Sequence, residues 1–312
     1  MQSRTHSGVR PCALGPRGKL GVVGLASCAD PANLIAGCSA LHQLTGWEVE
    51  AAFTAPDGDF AGTVEARAAA LNRLWLRDDL GAIVCSRGGY GSNYLLPHLD
   101  FEVFKTAPKG FIGYSDNTSL LLALDRHGLV SFHGPMVASD FANGHADAVS
   151  FCAALSGEPL DFSFAPGFGV TSLVDGEARG PLIGGCLSVV VTSLGTPWEI
   201  QTEGKILFLE DVNEKPFRID RMLMHLLLAG KFEGVRGVIF GAMRGCTSEE
   251  EALPQLILRI LGGLGVPIAF GVPSGHVSSG NLTLPLGVPA QLHSSAAGVR
   301  LQVEPATLIG SE

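Results

Sequence analysis

The chain has 312 residues, 46% of them hydrophobic and only 16% charged, with a formal net charge of −9. A charged share below the roughly 25% of ordinary globular chains predicts a sizeable core and little disorder. The acidic balance argues against nucleic acid, whose phosphates need a basic face, and against an anionic membrane surface, but not against a small acidic substrate in a locally basic pocket.

Residues 1–18 are polar and rich in Pro and Gly, and read as a flexible tail. "LGVVGLAS" (20–27) reads as a buried strand; its basic flank imitates a secretion signal, but the apolar run is short. "DPANLIAGCSALHQL" (30–44) opens with a capping Asp and a Pro in the first turn, which predicts a helix. "WEVEAAF" (47–53) alternates like a strand, and "TVEARAAALNRLWL" (63–76) is helical in spacing. "GAIVCSR" (81–87), "FIGYS" (111–115) and "VSFHG" (130–134) are apolar runs of strand length. Alternating strands and helices predict a parallel sheet covered on both faces, with functional groups at the carboxyl ends of its strands.

Residues 156–178 are rich in turn formers and read as a linker with some extended structure. Beyond it come an apolar stretch (181–195), a strand "KILFLED" (205–211), a helix "FRIDRMLMHLLLAG" (217–230), a strand "VRGVIFGA" (235–242), a helix near 249–262 and a β-like end. The fold class is therefore α/β, with an N-terminal domain over 19–155 and a C-terminal domain over 179–312. No apolar run reaches the ~18 residues of a membrane span. Seven cysteines with no CxxC pair read as buried free thiols, which fits a reducing cytosol.

No signature of a nucleotide cofactor or a metal is present: "GPRGKL" has too short a spacing for a phosphate loop, and HExxH and paired-Cys patterns are missing. Ser115 stands at the end of "FIGYS", directly before a helix-like run. A strand–serine–helix turn is the setting of an exposed nucleophile, and equally of a helix cap. "RGGYG" (87–91) puts three glycines in four positions after a strand. That pattern serves a tight turn, or backbone N–H groups aimed at a negative oxygen. A serine nucleophile needs a base and the base an orienting group. His276, in the loop "GVPSGHVSSGN", competes with His133 in "FHGP", and Glu210 at the end of "KILFLED" competes with Asp211 and Glu214.

Taken together, "RGGYG", "IGYSDNTSLLLAL", "FHGP", "GGCLSVVVTSLGTPW", "FLEDVNEKPFRIDRMLMHL" and "GH…TLPLG" resemble, in order and spacing, the LD-carboxypeptidase family of serine peptidases, from about residue 20 to 290. The resemblance implies a flavodoxin- or amidotransferase-like N-terminal domain and a smaller, β-containing C-terminal domain. It implies a catalytic triad of Ser115, Glu210 and His276, and an oxyanion hole from the backbone N–H groups of Gly89 and Asp116. Nucleophile and base then come from different domains, and the cleft lies between them. The activity implied is cytosolic hydrolysis of the L,D-bond to the terminal D-alanine of murein tetrapeptides, in peptidoglycan recycling, without cofactor or metal. The partner expected is a small peptide, with a homodimer left open. An immunity hydrolase of aminoacyl-sulfamoyl adenylates shares the triad and stays open, as does a noncatalytic ligand-binding α/β protein. The family's Pro-Ser-Gly turn after the first strand is replaced here by "GLASCADPAN".

Overall fold

The computed structural model describes residues 8–167, 169–247 and 252–309. Up to residue 156 the chain alternates β1 (Lys19–Val23), α1 (Pro31–Thr45), β2 (Glu48–Ala52), α2 (Val64–Trp75), β3 (Ala82–Cys85), α3 (Phe101–Thr106), β4 (Gly110–Gly113), α4 (Thr118–Arg126), β5 (Ser131–His133) and α5 (Ala148–Ser156). The local signals act as expected. Asp30 caps α1 by accepting from Asn33 N at 3.0 Å, Pro31 sits in the first turn, and Gly46 ends the helix at φ 73°.

The second half contributes β6 (Leu160–Phe164), β7 (Thr171–Val174), β8 (Gly176–Cys186), α6 (Leu187–Thr192), β9 (Ile206–Val212), α7 (Pro216–Leu228), β10 (Gly237–Arg244), α8 (Leu253–Leu261), β11 (Ile268–Phe270), β12 (Leu284–Leu286), β13 (Pro289–Ser295) and β14 (Gly298–Val303). The start of the helix expected near 249 lies outside the described residues. α7 buries Ile219, Leu223 and Leu226, spaced for one helix face, against the second sheet and its helices.

Two sheets result. The first has the order β12-β5-β4-β3-β1-β2. β1 to β5 run parallel, and β12 returns late in the chain to pair antiparallel with β5. β2 lies on one side of β1 while β3, β4 and β5 build out on the other. Winding thus reverses between β1 and β3, and a crevice opens at the carboxyl ends of the strands there. The second sheet has the order β6-β14-β13-β8-β9-β10-β11-β7, parallel from β8 to β11 and antiparallel at its flanks.

Two expectations are corrected. The stretch 156–178 is not a connector, since β6 and β7 form the two edges of the second sheet. Residues 1–7 of the expected tail lie outside the described residues, and from residue 8 on the chain is hydrogen-bonded to the rest of the fold. Val9 N donates to Gly128 O at 2.7 Å, Leu14 N donates to Leu155 O at 2.8 Å, and Leu14 is buried. All seven cysteines are free, but only Cys85, Cys186 and Cys246 are buried, and Cys12 is exposed. Among the described residues no helix is long and apolar enough to cross a membrane.

Candidate active site

β4 ends at Gly113, and the chain turns sharply through Tyr114 and Ser115 into a short helical turn leading to α4. Ser115 has φ 59°, the left-handed region that a side chain rarely occupies. Such strain persists only where surrounding structure imposes it, and here it occurs just beyond the carboxyl end of the central strand β4. Ser115 Oγ lies 3.0 Å from Nε2 of His276. His276 stands on the loop after β11, and its Nδ1–H donates to Glu210 Oε2 at 2.7 Å. Its main-chain N–H reaches the same oxygen at 3.2 Å. Glu210, in β9, is fully buried. The three side chains expected to act together thus form one hydrogen-bonded chain, with Ser115 from the first sheet and the other two from the second.

Of the competing residues, Asp211 and Glu214 are engaged elsewhere, while His133 backs the Glu210 carboxylate. Asp211 accepts from Ser188 N at 2.9 Å and from Val212 N at 2.8 Å, and so holds the start of α6. Glu214 meets Arg218 at 3.4 Å. His133 is fully buried and presents Nε2 to Glu210, at 3.7 Å from Oε1. Burial pushes the Glu210 carboxyl up, but the His276 charge and the two histidine contacts outweigh it and hold the group below the usual carboxylate range. Burial pushes His276 down, while the Glu210 charge and hydrogen bond push it further the other way, leaving it above the ordinary histidine value.

The glycine turn lies against the serine. A Cβ on Gly88 would sit 2.8 Å from Ser115 Cβ and 3.6 Å from Asp116 N. Gly89 has φ 116°, and a Cβ there would fall 2.2 Å from Ser27 Oγ. Ser27, in the stretch that departs from the family pattern, accepts from Tyr90 N at 3.3 Å. Among the described residues the N–H groups of Gly89 and Asp116 have no acceptor. Unused donors on the two turns that meet at Gly88 and Ser115 suit a developing oxyanion. Arg87 is exposed at the same rim, with Nη1 donating to Cys28 O at 3.2 Å.

Several supporting residues escaped sequence reasoning. The Asp116 carboxylate accepts from Ser92 N at 2.8 Å, and its carbonyl accepts from Ser92 Oγ at 2.7 Å, which ties the glycine turn to the serine turn. Arg67, buried, donates to the carbonyls of Gly62, Leu25 and Gly91 and so joins three loops at the crevice. Asp140 accepts from Asn281 Nδ2 at 3.0 Å, and Asn281 Oδ1 accepts from Gly275 N at 2.9 Å, which anchors the His276 loop. Thr118 Oγ1 accepts from Cys186 N at 3.1 Å and links α4 to β8. Apart from Arg67 with Gly62 and Gly275 with Asn281, these contacts join residues at least 24 apart in sequence, so no local pattern signals them. Among the described residues no cluster of three or more His, Cys, Asp or Glu has the arrangement of a metal site.

A model of the LD-carboxypeptidase N-terminal domain matches residues 20–134, and one of the C-terminal domain matches residues 179–292. The Bacillus subtilis protein named "Probable murein peptide carboxypeptidase" is 34% identical over 92% of this chain and 92% of its own. The murein tetrapeptide carboxypeptidase of Pseudomonas aeruginosa is 32% identical over 75% of this chain and 80% of its own. A microcin C7 self-immunity protein of Escherichia coli is 29% identical over 73% of this chain and 75% of its own. The crystal structure of muramoyltetrapeptide carboxypeptidase from Oxalobacter formigenes superimposes with a TM-score of 0.86, at 27% identity over 93% of this chain and 100% of its own. With both domain models matched in order on this two-sheet framework, the chain belongs to the LD-carboxypeptidase family.

Proposed function

We propose that the protein is a serine LD-carboxypeptidase that removes the terminal D-alanine from murein tetrapeptides in the cytosol, as a step of peptidoglycan recycling. The observation that carries this reading is the hydrogen-bonded chain from Ser115 through His276 to Glu210, closed across the two sheets beside two unused amide donors. Ser115 Oγ attacks the carbonyl carbon of the L,D-bond while His276 Nε2 takes its proton. The Glu210 carboxylate stabilises the imidazolium that forms. The N–H groups of Gly89 and Asp116 bind the oxygen as it becomes negative. His276 then gives the proton to the leaving nitrogen of D-alanine. Water, activated by the same imidazole, releases the acyl group from Ser115. In this reading the exposed guanidinium of Arg87, at the rim, meets the free carboxylate of the substrate.

The test is product analysis after incubation with a purified tetrapeptide ending in diaminopimelyl-D-alanine or lysyl-D-alanine, beside an aminoacyl-sulfamoyl adenylate. Tripeptide and free D-alanine, with the adenylate left intact, are the expected products. Cleavage of the adenylate alone would replace the peptidase reading with that of an immunity hydrolase.

A further inference from the structure

The Ser115–His276–Glu210 chain uses only one of the two oxygens of Glu210. The other, Oε1, is buried and faces Nε2 of His133 across 3.7 Å. Neither atom has a hydrogen-bond partner among the described residues. Both side chains are fully buried, so water does not solvate them from outside. A buried carboxylate oxygen left without a donor is costly, and native structures rarely leave one so. His133 is held firmly where it faces this oxygen. It closes β5, pairs with Leu284 on β12, and packs between the rings of Phe208 at 4.9 Å and Tyr114 at 5.7 Å. Its Nδ1 lies 3.0 Å from Ser274 Oγ, two residues before His276, and the same hydroxyl lies 2.9 Å from Leu282 O, so its single proton goes to one of the two. The ionisable groups facing the ring are Glu210 from β9 and Tyr114 from the turn after β4, whose hydroxyl donates to Asp140 at 3.3 Å.

A bare Nε2 would set a lone pair against the carboxylate, whereas a proton on Nε2 turns that contact attractive. We propose that His133 is a positioning residue that carries its proton on Nε2 and donates it to Glu210 Oε1, so that the carboxylate is held between two imidazoles. Closing the 3.7 Å gap to hydrogen-bond length takes a shift of under about 1 Å. The contact does two things for the reaction. It fixes the plane of the carboxylate, which keeps Oε2 in line with Nδ1 of His276. It also draws charge off the carboxylate, which limits how strongly Glu210 favours imidazolium at His276. A proton on Nε2 leaves Nδ1 to accept the Ser274 hydroxyl proton, which then gives up Leu282 O; an unpaired neutral carbonyl is less costly than an unpaired buried carboxylate oxygen. Ser274 also precedes His276 in its loop and so ties the two histidines into one assembly. The kinetic consequence rests on the serine mechanism proposed above, while the proton on Nε2 does not.

The experiment has two arms. In the first, nitrogen NMR of the histidine-labelled wild-type protein reads the protonation of each ring nitrogen of His133. A protonated, pyrrole-type Nε2 is expected, and a bare, pyridine-type Nε2 overturns the inference whatever the kinetics. In the second, His133→Gln carries an amide nitrogen near the position of the imidazole Nε2, while His133→Asn reaches only the Nδ1 position and His133→Phe keeps the packing without a donor. His133→Asn and His133→Phe are expected to lower kcat by about ten- to a hundredfold with KM nearly unchanged, while His133→Gln keeps most of the rate. The acid limb of the rate profile is expected to move to higher pH in the Asn and Phe variants. If all three variants share one kcat and one limb at matched melting temperature, His133 only packs and the inference fails. A wild-type profile without a histidine limb, together with a protonated Nε2, would overturn the serine mechanism and leave the contact with Glu210 standing.

Discussion

Ser115 occupies a backbone conformation that resists a side chain, with φ 59°, and an alanine there would feel the same strain. Ser115→Ala therefore removes the hydroxyl without relieving the turn. Its effect on stability is expected within about 1 kcal/mol by thermal melting, while turnover falls by several orders of magnitude. Gly275 is constrained in the opposite way. It has φ 102°, and a Cβ would lie 2.3 Å from Glu210 Oε2. Gly275→Ala should displace Glu210 from His276 and lower kcat, which stopped-flow or end-point assays would read; an unaffected rate would show that the loop yields freely. The ionisation of His276 sets the pH dependence. In the proposed mechanism it must be neutral to accept the Ser115 proton, and its environment raises its proton affinity. Activity is thus low below the folded-state value and rises through it, so the limb in kcat/KM should lie above the ordinary histidine value of about 6.5. A midpoint below that value would contradict the Glu210 contact. Arg87→Ala should raise KM more than it lowers kcat if the guanidinium reads the substrate carboxylate.

Helix α7 shows what an element contributes. Its residues Ile219, Leu223 and Leu226 are fully buried under the second sheet, which also carries Glu210 on β9. Leu223→Ala should cost about 2–5 kcal/mol by denaturant unfolding, and a cost near zero would mean that this face does not hold the sheet. α1, α7 and β9 were legible in the sequence because each combines an apolar period with a capping residue, a Pro or a clean boundary. β6 and β7 were not, because edge strands are half exposed and their residues, "LDFSF" and "TSLV", lie among turn formers. α5 was missed despite Asp147, which accepts from Ser150 N at 2.7 Å, because its nine residues show little amphipathic contrast. At the site, Ser115, Glu210 and His276 were legible as residues because each ends a strand or stands in a Gly-rich loop. Their choice over Asp211 and His133 depended on resemblance to the family, since side-chain direction at a strand end has no sequence signal. The second contact of Glu210, with His133, joins β5 to β9 and leaves no trace in either segment.

Across the whole molecule, the site exists only because two sheets meet. Ser115 belongs to the first, and Glu210 and His276 to the second. The sheets are linked by Thr118 with Cys186, by Asp140 with Asn281, by Lys205 with Asp125 at 2.7 Å, and by β12 crossing back to β5. Thr118→Val leaves the buried Cys186 N–H without its acceptor and is expected to cost about 1–3 kcal/mol. It should also lower activity, since the link sits three residues from Ser115. In the proposed mechanism the serine supplies the nucleophile and the amides the electrostatic stabilisation, so activity should survive dialysis against EDTA. Loss that an added divalent ion restores would contradict the mechanism. The most direct measurement is the quantity of D-alanine released from a purified murein tetrapeptide by the wild-type protein and by Ser115→Ala at matched folded concentration. The account predicts complete release by the wild type and a rate lower by several orders of magnitude in the variant; release at equal rates by both, or none by the wild type, would contradict it.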